Sequence, residues 1–236
     1  MHYGPKVTQS NMDFCIDIGN PKSAANATDM VAGKTVTLNN SPTYNANGFM
    51  TFDGVNESIQ IAHDNYPATF ADPFSLECWL YYDSSLTWAN SFRGSILCRG
   101  NYDGSHGIWR FPTTGVVSAW VRVRASNNAV TIKERTVTLT DNAWNHVMMT
   151  WENDTLIAIY KNGELGQSQD PGDVNAAGSQ FNADQNDWIL CGKNAASGAQ
   201  STHFEGDMAM ARLYKRALSA AEVKENFEAT RGRFGV

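Results

Sequence analysis

Charge is scarce in this sequence. Lys, Arg, Asp and Glu make up 18% of the 236 residues, below the usual quarter. No block of like charge stands out, and the formal balance is −6. A nucleic-acid-binding domain wants a basic face, so nucleic acid is not an expected partner. Long apolar runs are missing too. No stretch approaches the ~20 residues of a membrane-spanning helix, so no membrane insertion is expected. The opening "MHYGPKVTQSNMDF" lacks the apolar core of a secretory leader, and a cytosolic origin is the expectation.

Cysteine is sparse. Cys15, Cys78, Cys98 and Cys191 form no CxxC pair, which argues against a zinc site. Each lies in an apolar, strand-like setting such as "SLECWLYY" or "WILCGK", so buried thiols in a reducing compartment are expected. The usual catalytic signatures are also missing. There is no Gly-x-Ser-x-Gly elbow. His2, His63, His106, His146 and His203 include no HExxH pair, the helical zinc-protease spacing.

What remains is polarity carried by Asn, Ser, Thr and Gly around an apolar fraction of 42%, enough for a sizeable core. Period-2 alternation recurs almost from end to end, broken by Gly, Asn, Asp and Pro clusters. "FCIDI", "KTVTL", "FMTFDG" and "SIQIA" open the series. In "FSLECWLYY", Leu76, Cys78 and Leu80 share one face and Glu77, Trp79 and Tyr81 the other. Both faces are bulky, so this strand should be central with a second layer over its outer face. "SILC", "GIWRF", "VSAWVRVR", "VTIKERTVTL", "WNHVMMTW", "LIAIYKNGELG", "DWILCG" and "EGDMAMARLY" follow. Asn162-Gly163 is the clearest hairpin signal, because both residues tolerate positive φ. Residues 168–187 and 193–203 read as surface loops. No linker or repeat is visible. A dozen or so short strands predict one all-β domain over residues 1–236, a two-sheet antiparallel jelly-roll sandwich.

The end of the chain breaks the period. Ser219 and Glu222 make a capping box, and Leu218 and Val223 a hydrophobic staple. Ala220, Val223 and Phe227 give a narrow apolar stripe, and Gly232 a stop. A short amphipathic helix over about 219–230 is predicted, docked across the sandwich as a lid. Its polar face and the tail Arg231–Val236 are expected to stay free. Glu222 early and Arg231 and Arg233 late suit the helix dipole.

These residues resemble a known family. "HFEGDMAMARLYKRALSAAEV", "AWNHVMMTWENDTLIAIYKNGEL" and "MTFDGVNESIQI" resemble the motifs of concanavalin A-like, laminin-G-type jelly rolls. A narrower resemblance is to tailed-bacteriophage virion proteins carrying this domain. It rests on "IDIGNPKSA", "TDM", "TLNNSPTYN" and "NFEATRGRFG". The resemblance spans nearly the whole chain and is weak from Ser84 to Val130. One departure stands at the last strand. Many relatives carry an acid just before the final Val-Arg-x-Tyr, where this chain has Ala209, with Asp207 earlier.

The resemblance implies a non-enzymatic virion structural protein, a capsid-decoration, tail or fibre component used for assembly or adhesion. Other virion proteins and further copies of the chain are the implied partners, and the virion, assembled in the host cytoplasm, the implied location. A carbohydrate-binding module that recognises cell-surface glycans is the alternative. Its candidate residues are Trp88, Tyr102, Asp103 and His106, read as loop-borne aromatic and polar groups. A glucanase would need the strand motif Glu-x-Asp-x-x-Glu and its carboxylate pair. Glu152 and Asp154 match it, but Ile157 occupies the third position. No cofactor is implied. Calcium would need loop oxygens from Asp103, Asp170 or Asp173, whose Asp-Gly and Pro-Gly-Asp settings are first turn chemistry. His146 is expected to pack or bond at a strand start.

Overall fold

The computed structural model describes residues 6–64, 66–67, 72–86, 94–99, 106–111, 114–124, 130–152, 155–169, 187–192 and 203–236. Among them are fifteen strands and one α-helix. One sheet contains β1 (Met12–Asp17), β3 (Thr43–Asn45), β4 (Phe49–Asp53), β6 (Phe74–Tyr82), β11 (Ala143–Glu152), β12 (Leu156–Lys161), β13 (Glu164–Gln169) and β15 (Glu205–Tyr214). Its order is β13-β12-β11-β6-β15-β4-β3, with β1 also paired to β15. The other sheet contains β2 (Val36–Asn39), β5 (Ser58–Ile61), β7 (Gly94–Arg99), β8 (His106–Arg110), β9 (Val116–Arg124), β10 (Val130–Thr138) and β14 (Trp188–Leu190). Its order is β10-β9-β8-β7-β14-β5-β2. Every strand pairing is antiparallel. Two such sheets bury one face of each strand against the other, which is what the alternation requires. The fold class expected from sequence is the one observed.

Leu76, Cys78 and Leu80 of β6 join Phe14, Phe52, Ile96, Ile108, Val121, Val147, Trp151 and Trp188 in the inter-sheet core. On the opposite face of β6, Glu77 and Trp79 are fully buried as well. The second layer over that face is α1 (Ala220–Thr230) with the tail behind it. All four cysteines are buried and none is in a disulfide.

Local signals are realised where they are strongest. Asn162 and Gly163 take φ of 52° and 77° in the β12–β13 turn. Ser219 caps α1, with both halves of the capping box formed. The "TDM" stretch owes its place to Asp29. This buried carboxylate accepts backbone N–H groups from Cys15, Val31, Ala32 and Lys34 at 3.0–3.2 Å and so ties the following loop to β1. In "FDGVN", Asp53 Oδ1 accepts the N–H groups of Val55 and Asn56, closing the turn from β4 to β5.

Four expectations are corrected. β13 continues to Gln169, past the expected loop start at Ser168. Ala220 is exposed and outside the docking stripe; the buried helix residues are Val223 and Asn226. Gly232 does not stop the helix, which passes into a 3-10 turn over Arg231–Arg233. The tail is not free. Phe234 stacks on Trp79 with centroids 4.1 Å apart, and Arg233 bonds Asp17 at 2.5 Å and the Gly48 carbonyl at 2.7 Å. Phe227 of the helix and Phe234 of the tail both stack on Trp79, which is fully buried.

Candidate functional site

Of the residues proposed from sequence for sugar contact, Trp88, Tyr102 and Asp103 lie outside the described residues. His106 is not loop-borne. It opens β8, is buried, and packs its ring 5.3 Å from those of Phe74 and Trp188. Asp154, Asp170 and Asp173 also lie outside the described residues, while Glu152 is exposed and Ile157 is buried in the core. Among the described residues, no three His, Cys, Asp or Glu side chains are grouped to hold a metal ion.

Among the described residues, the one fully buried carboxylate is Glu77, on the outer face of the first sheet. Its Oε1 accepts from Arg212 Nη1 at 2.7 Å and lies 3.1 Å from His146 Nε2. Its Oε2 accepts from the Tyr214 hydroxyl at 3.1 Å and from Asn226 Nδ2 at 2.9 Å. Burial pushes this carboxyl up, but Arg212, His146 and Tyr214 more than offset it and hold it down to about 2. A carboxylate that accepts from four side chains and sees no solvent cannot act as acid, base or nucleophile on an external substrate. Glu77 therefore fastens the helix to the sheet, and His146 is structural, as its strand position suggested.

A shallow groove of about 390 Å³ runs between the edge strands β10 and β13, lined by Thr136, Thr138, Lys161, Glu164, Leu165 and Gln167 among others. Gln167 Oε1 takes the Thr136 N–H at 2.9 Å, and Lys161 donates to the Thr138 carbonyl at 2.9 Å. These side chains occupy backbone groups of an edge strand, a common protection against strand addition. Among the described residues, the groove has no aromatic lining.

A different surface has the chemistry of a ligand site. Register places Trp144 opposite Tyr81, Tyr81 opposite Asp207, and Asp207 opposite Thr51. Directly paired residues share a face, so the four form a row across β11, β6, β15 and β4. The face is the outer one, since Tyr81 lies two residues from Trp79. A bulge at Ala209 lets Asp207 and Met210 share that face despite their odd spacing. Ala209, where the resemblance implies an acid, is therefore a buried bulge, and Asp207 stands half-buried two residues earlier.

Trp144 is the hub of the row. Its ring meets Tyr81 at 5.8 Å, Phe49 at 5.6 Å and Phe234 at 5.1 Å. All four rings are partly exposed. Thr51 donates to Asp207 Oδ1 at 2.6 Å. Burial raises the Asp207 carboxyl, and Asp83 adds to the rise. The row thus sets partly exposed ring surface beside a hydroxyl, a carboxylate, a phenol and an indole N–H. Sequence reasoning missed it because its members lie far apart in the chain and meet only through strand order.

Residues 53–224 match the family described as the concanavalin A-like lectin/glucanases superfamily, in its laminin-G form. No curated relative matches the chain. Among solved structures, the chain is similar to the receptor-binding domain of botulinum neurotoxin D, with a TM-score of 0.70 and 14% identity over 93% of this chain and 53% of that one. It is similar to the serotype D ligand-binding domain in complex with N-acetylneuraminic acid, with a TM-score of 0.66 and 14% identity over 92% and 50%. The binding domain of Paraclostridial Mosquitocidal Protein 1 matches with a TM-score of 0.67 and 14% identity over 92% and 52%. The chain spans about half the length of these domains. The likeness is one of fold. The chain belongs to the concanavalin A-like lectin/glucanases superfamily.

Proposed function

We propose that this concanavalin A-like chain is a non-enzymatic structural component of a bacteriophage virion, a capsid-decoration, tail or fibre protein that uses its jelly roll for assembly and surface adhesion. It joins the particle in the host cytoplasm, among other virion proteins and further copies of itself. The observation that carries this reading is the meeting of the two virion-like motifs. Arg233 of "NFEATRGRFG" bonds Asp17 of "IDIGNPKSA" at 2.5 Å, and a Cβ at Gly19 would lie 2.1 Å from the Arg233 guanidinium. The two stretches that resemble virion proteins thus meet in one contact. The absence of enzyme activity is supported by the locked state of Glu77 and by Ile157 at the third position of the glucanase-type strand.

A second reading, recognition of cell-surface glycans, is favoured by the Trp144–Tyr81–Asp207–Thr51 row. One structural neighbour was solved in complex with N-acetylneuraminic acid. The two readings are compatible, since an adhesive virion protein needs something to adhere to.

The experiment is adsorption of particles to host cells in the presence of an antibody against this chain. Adsorption should fall, while purified protein incubated with β-glucans should release no reducing ends above background. Unimpaired adsorption would remove the adhesive role, and polysaccharide cleavage abolished by Glu152→Gln would replace the reading with an enzymatic one.

A further inference from the structure

The face that bears the aromatic row is only partly covered by the helix and tail. Phe234 and Val236 pack at one side of it, and beyond them the row runs across four strands to Thr51. Neighbouring strands are about 4.8 Å apart, so the row extends about 14 Å, long enough for more than one sugar ring. Among the described residues, neither the Tyr81 hydroxyl nor the Trp144 indole N–H has a hydrogen-bond partner. Partly exposed rings ringed by unused polar tips are the usual makeup of a small-molecule site, and Tyr and Trp serve it well because one end is apolar and the other polar.

The charges around the row select among ligands. Asp207 lies in it, and the next pair on the same face of these strands is Glu205 opposite Asp53. Asp83 follows β6 and raises both Glu205 and Asp207, after burial. Glu57 stands beside Asp53, whose N–H it accepts at 2.8 Å. The cations nearby are engaged or neutral. Arg110 is buried against the Tyr82 ring at 4.5 Å. Arg233 is bonded to Asp17. His203 is lowered by burial, against Asp53. Asp207 in the row and the four carboxylates beside it, Glu205, Asp53, Asp83 and Glu57, therefore make this surface acidic.

We propose that the Trp144–Tyr81–Asp207–Thr51 row is an oligosaccharide-binding site for neutral sugars and that its acidic border excludes sialylated ones. The rings take the apolar C–H face of a pyranose. Asp207 accepts from sugar hydroxyls in charge-assisted hydrogen bonds, the stronger kind. The Tyr81 hydroxyl and the Trp144 N–H bond the ring's rim. An added sialic acid brings a carboxylate toward Glu205 and Asp53, and like charge at an interface is a strong discriminator. The proposal rests on the adhesive reading above and names its ligand class.

The test is titration calorimetry of the full chain with lactose, maltose, cellobiose and mannobiose, and with 3′-sialyllactose as the anionic match to lactose. At least one neutral disaccharide should bind, and Trp144→Ala should weaken it by about tenfold or more. Asp207→Asn and Tyr81→Phe, which remove only polar tips, should each weaken it several-fold and keep the site testable if Trp144→Ala fails to fold. Sialyllactose should bind no more tightly than lactose, and weaker by about tenfold if lactose is a ligand. No neutral binding, binding indifferent to all three substitutions, or tighter binding of sialyllactose than of lactose would overturn the proposal. Failure here leaves the virion reading standing if the chain is present in particles, whereas absence from particles would remove that reading and leave the sugar site intact.

Discussion

Asn226 of the C-terminal helix donates its side-chain N–H to Glu77 on the central strand at 2.9 Å, across 149 residues of sequence. The same amide lies 2.9 Å from the Tyr214 hydroxyl, and its oxygen accepts the Thr8 N–H at 2.8 Å. One polar residue on the buried stripe of an amphipathic helix thus ties the helix, β6, β15 and the N-terminal segment together. Asn226→Ala should cost about 1.5–3 kcal/mol, the usual worth of a bond to a charged group. Urea unfolding measures it. A loss under about 0.5 kcal/mol, the scale of neutral surface changes, would mean the network does not hold the helix.

Glu77 also sets an acid limit. Its carboxyl ordinarily titrates at 4.5 and is held to about 2 in the folded chain, where Arg212, His146 and Tyr214 outweigh burial. As pH falls, the unfolded chain takes up this proton before the folded one does. The contribution is therefore complete above about pH 4.5 and is lost progressively toward about pH 2. That difference corresponds to on the order of 3 kcal/mol. Glu222, held down to about 2 by its bond to Arg216, titrates in the same window. It is common to the native chain and Glu77→Gln, so the difference in their pH slopes isolates Glu77. Parallel slopes between pH 5 and pH 2 would contradict the assignment.

Phe234→Ala should uncover Trp79. The ring loses its stacked partner at 4.1 Å and keeps Phe227 at 5.9 Å. A cost of about 1–2 kcal/mol follows from the lost apolar contact and stacking. Tryptophan emission should shift to the red, and acrylamide should quench it more readily. Unchanged quenching would mean that the tail is not a cover.

Gly19→Ala probes the meeting of the two termini. The added Cβ would lie 2.1 Å from Arg233 Nη2, so the guanidinium must leave its place on Asp17. The substitution should therefore act through Arg233. Gly19→Ala and Arg233→Ala should be non-additive, with the double variant about as stable as Arg233→Ala alone. Simple additivity in a double-mutant cycle would show that Gly19 matters for another reason.

Much of this fold could be read from local patterns. The strands, the Asn162-Gly163 hairpin and the Ser219–Glu222 capping box depend on residues a few positions apart, and each forms as its spacing indicates. The buried polar face of the helix could not be read that way. Asn226 looks like any solvated helix residue until Glu77, Tyr214 and Thr8 are brought to it. The tail looked free for the same reason, since Trp79, Asp17 and Gly48 are its partners only in three dimensions. The aromatic row is the extreme case. Thr51 and Asp207 are 156 residues apart and bonded at 2.6 Å, and only strand order and a bulge at Ala209 put them beside Tyr81 and Trp144. Clustering along the chain suggested Trp88, Tyr102, Asp103 and His106; the first three lie outside the described residues, and His106 is buried at the start of β8.

The central claim is that this chain is part of a virion, and peptide mass spectrometry of gradient-purified particles tests it most directly. Intact particles and tail-less capsids should be compared. The account predicts peptides from across the chain in intact particles, in many copies, with their presence or loss in tail-less capsids assigning the chain to head or tail. Their absence from both preparations, with the protein recovered only from the soluble lysate, would contradict it.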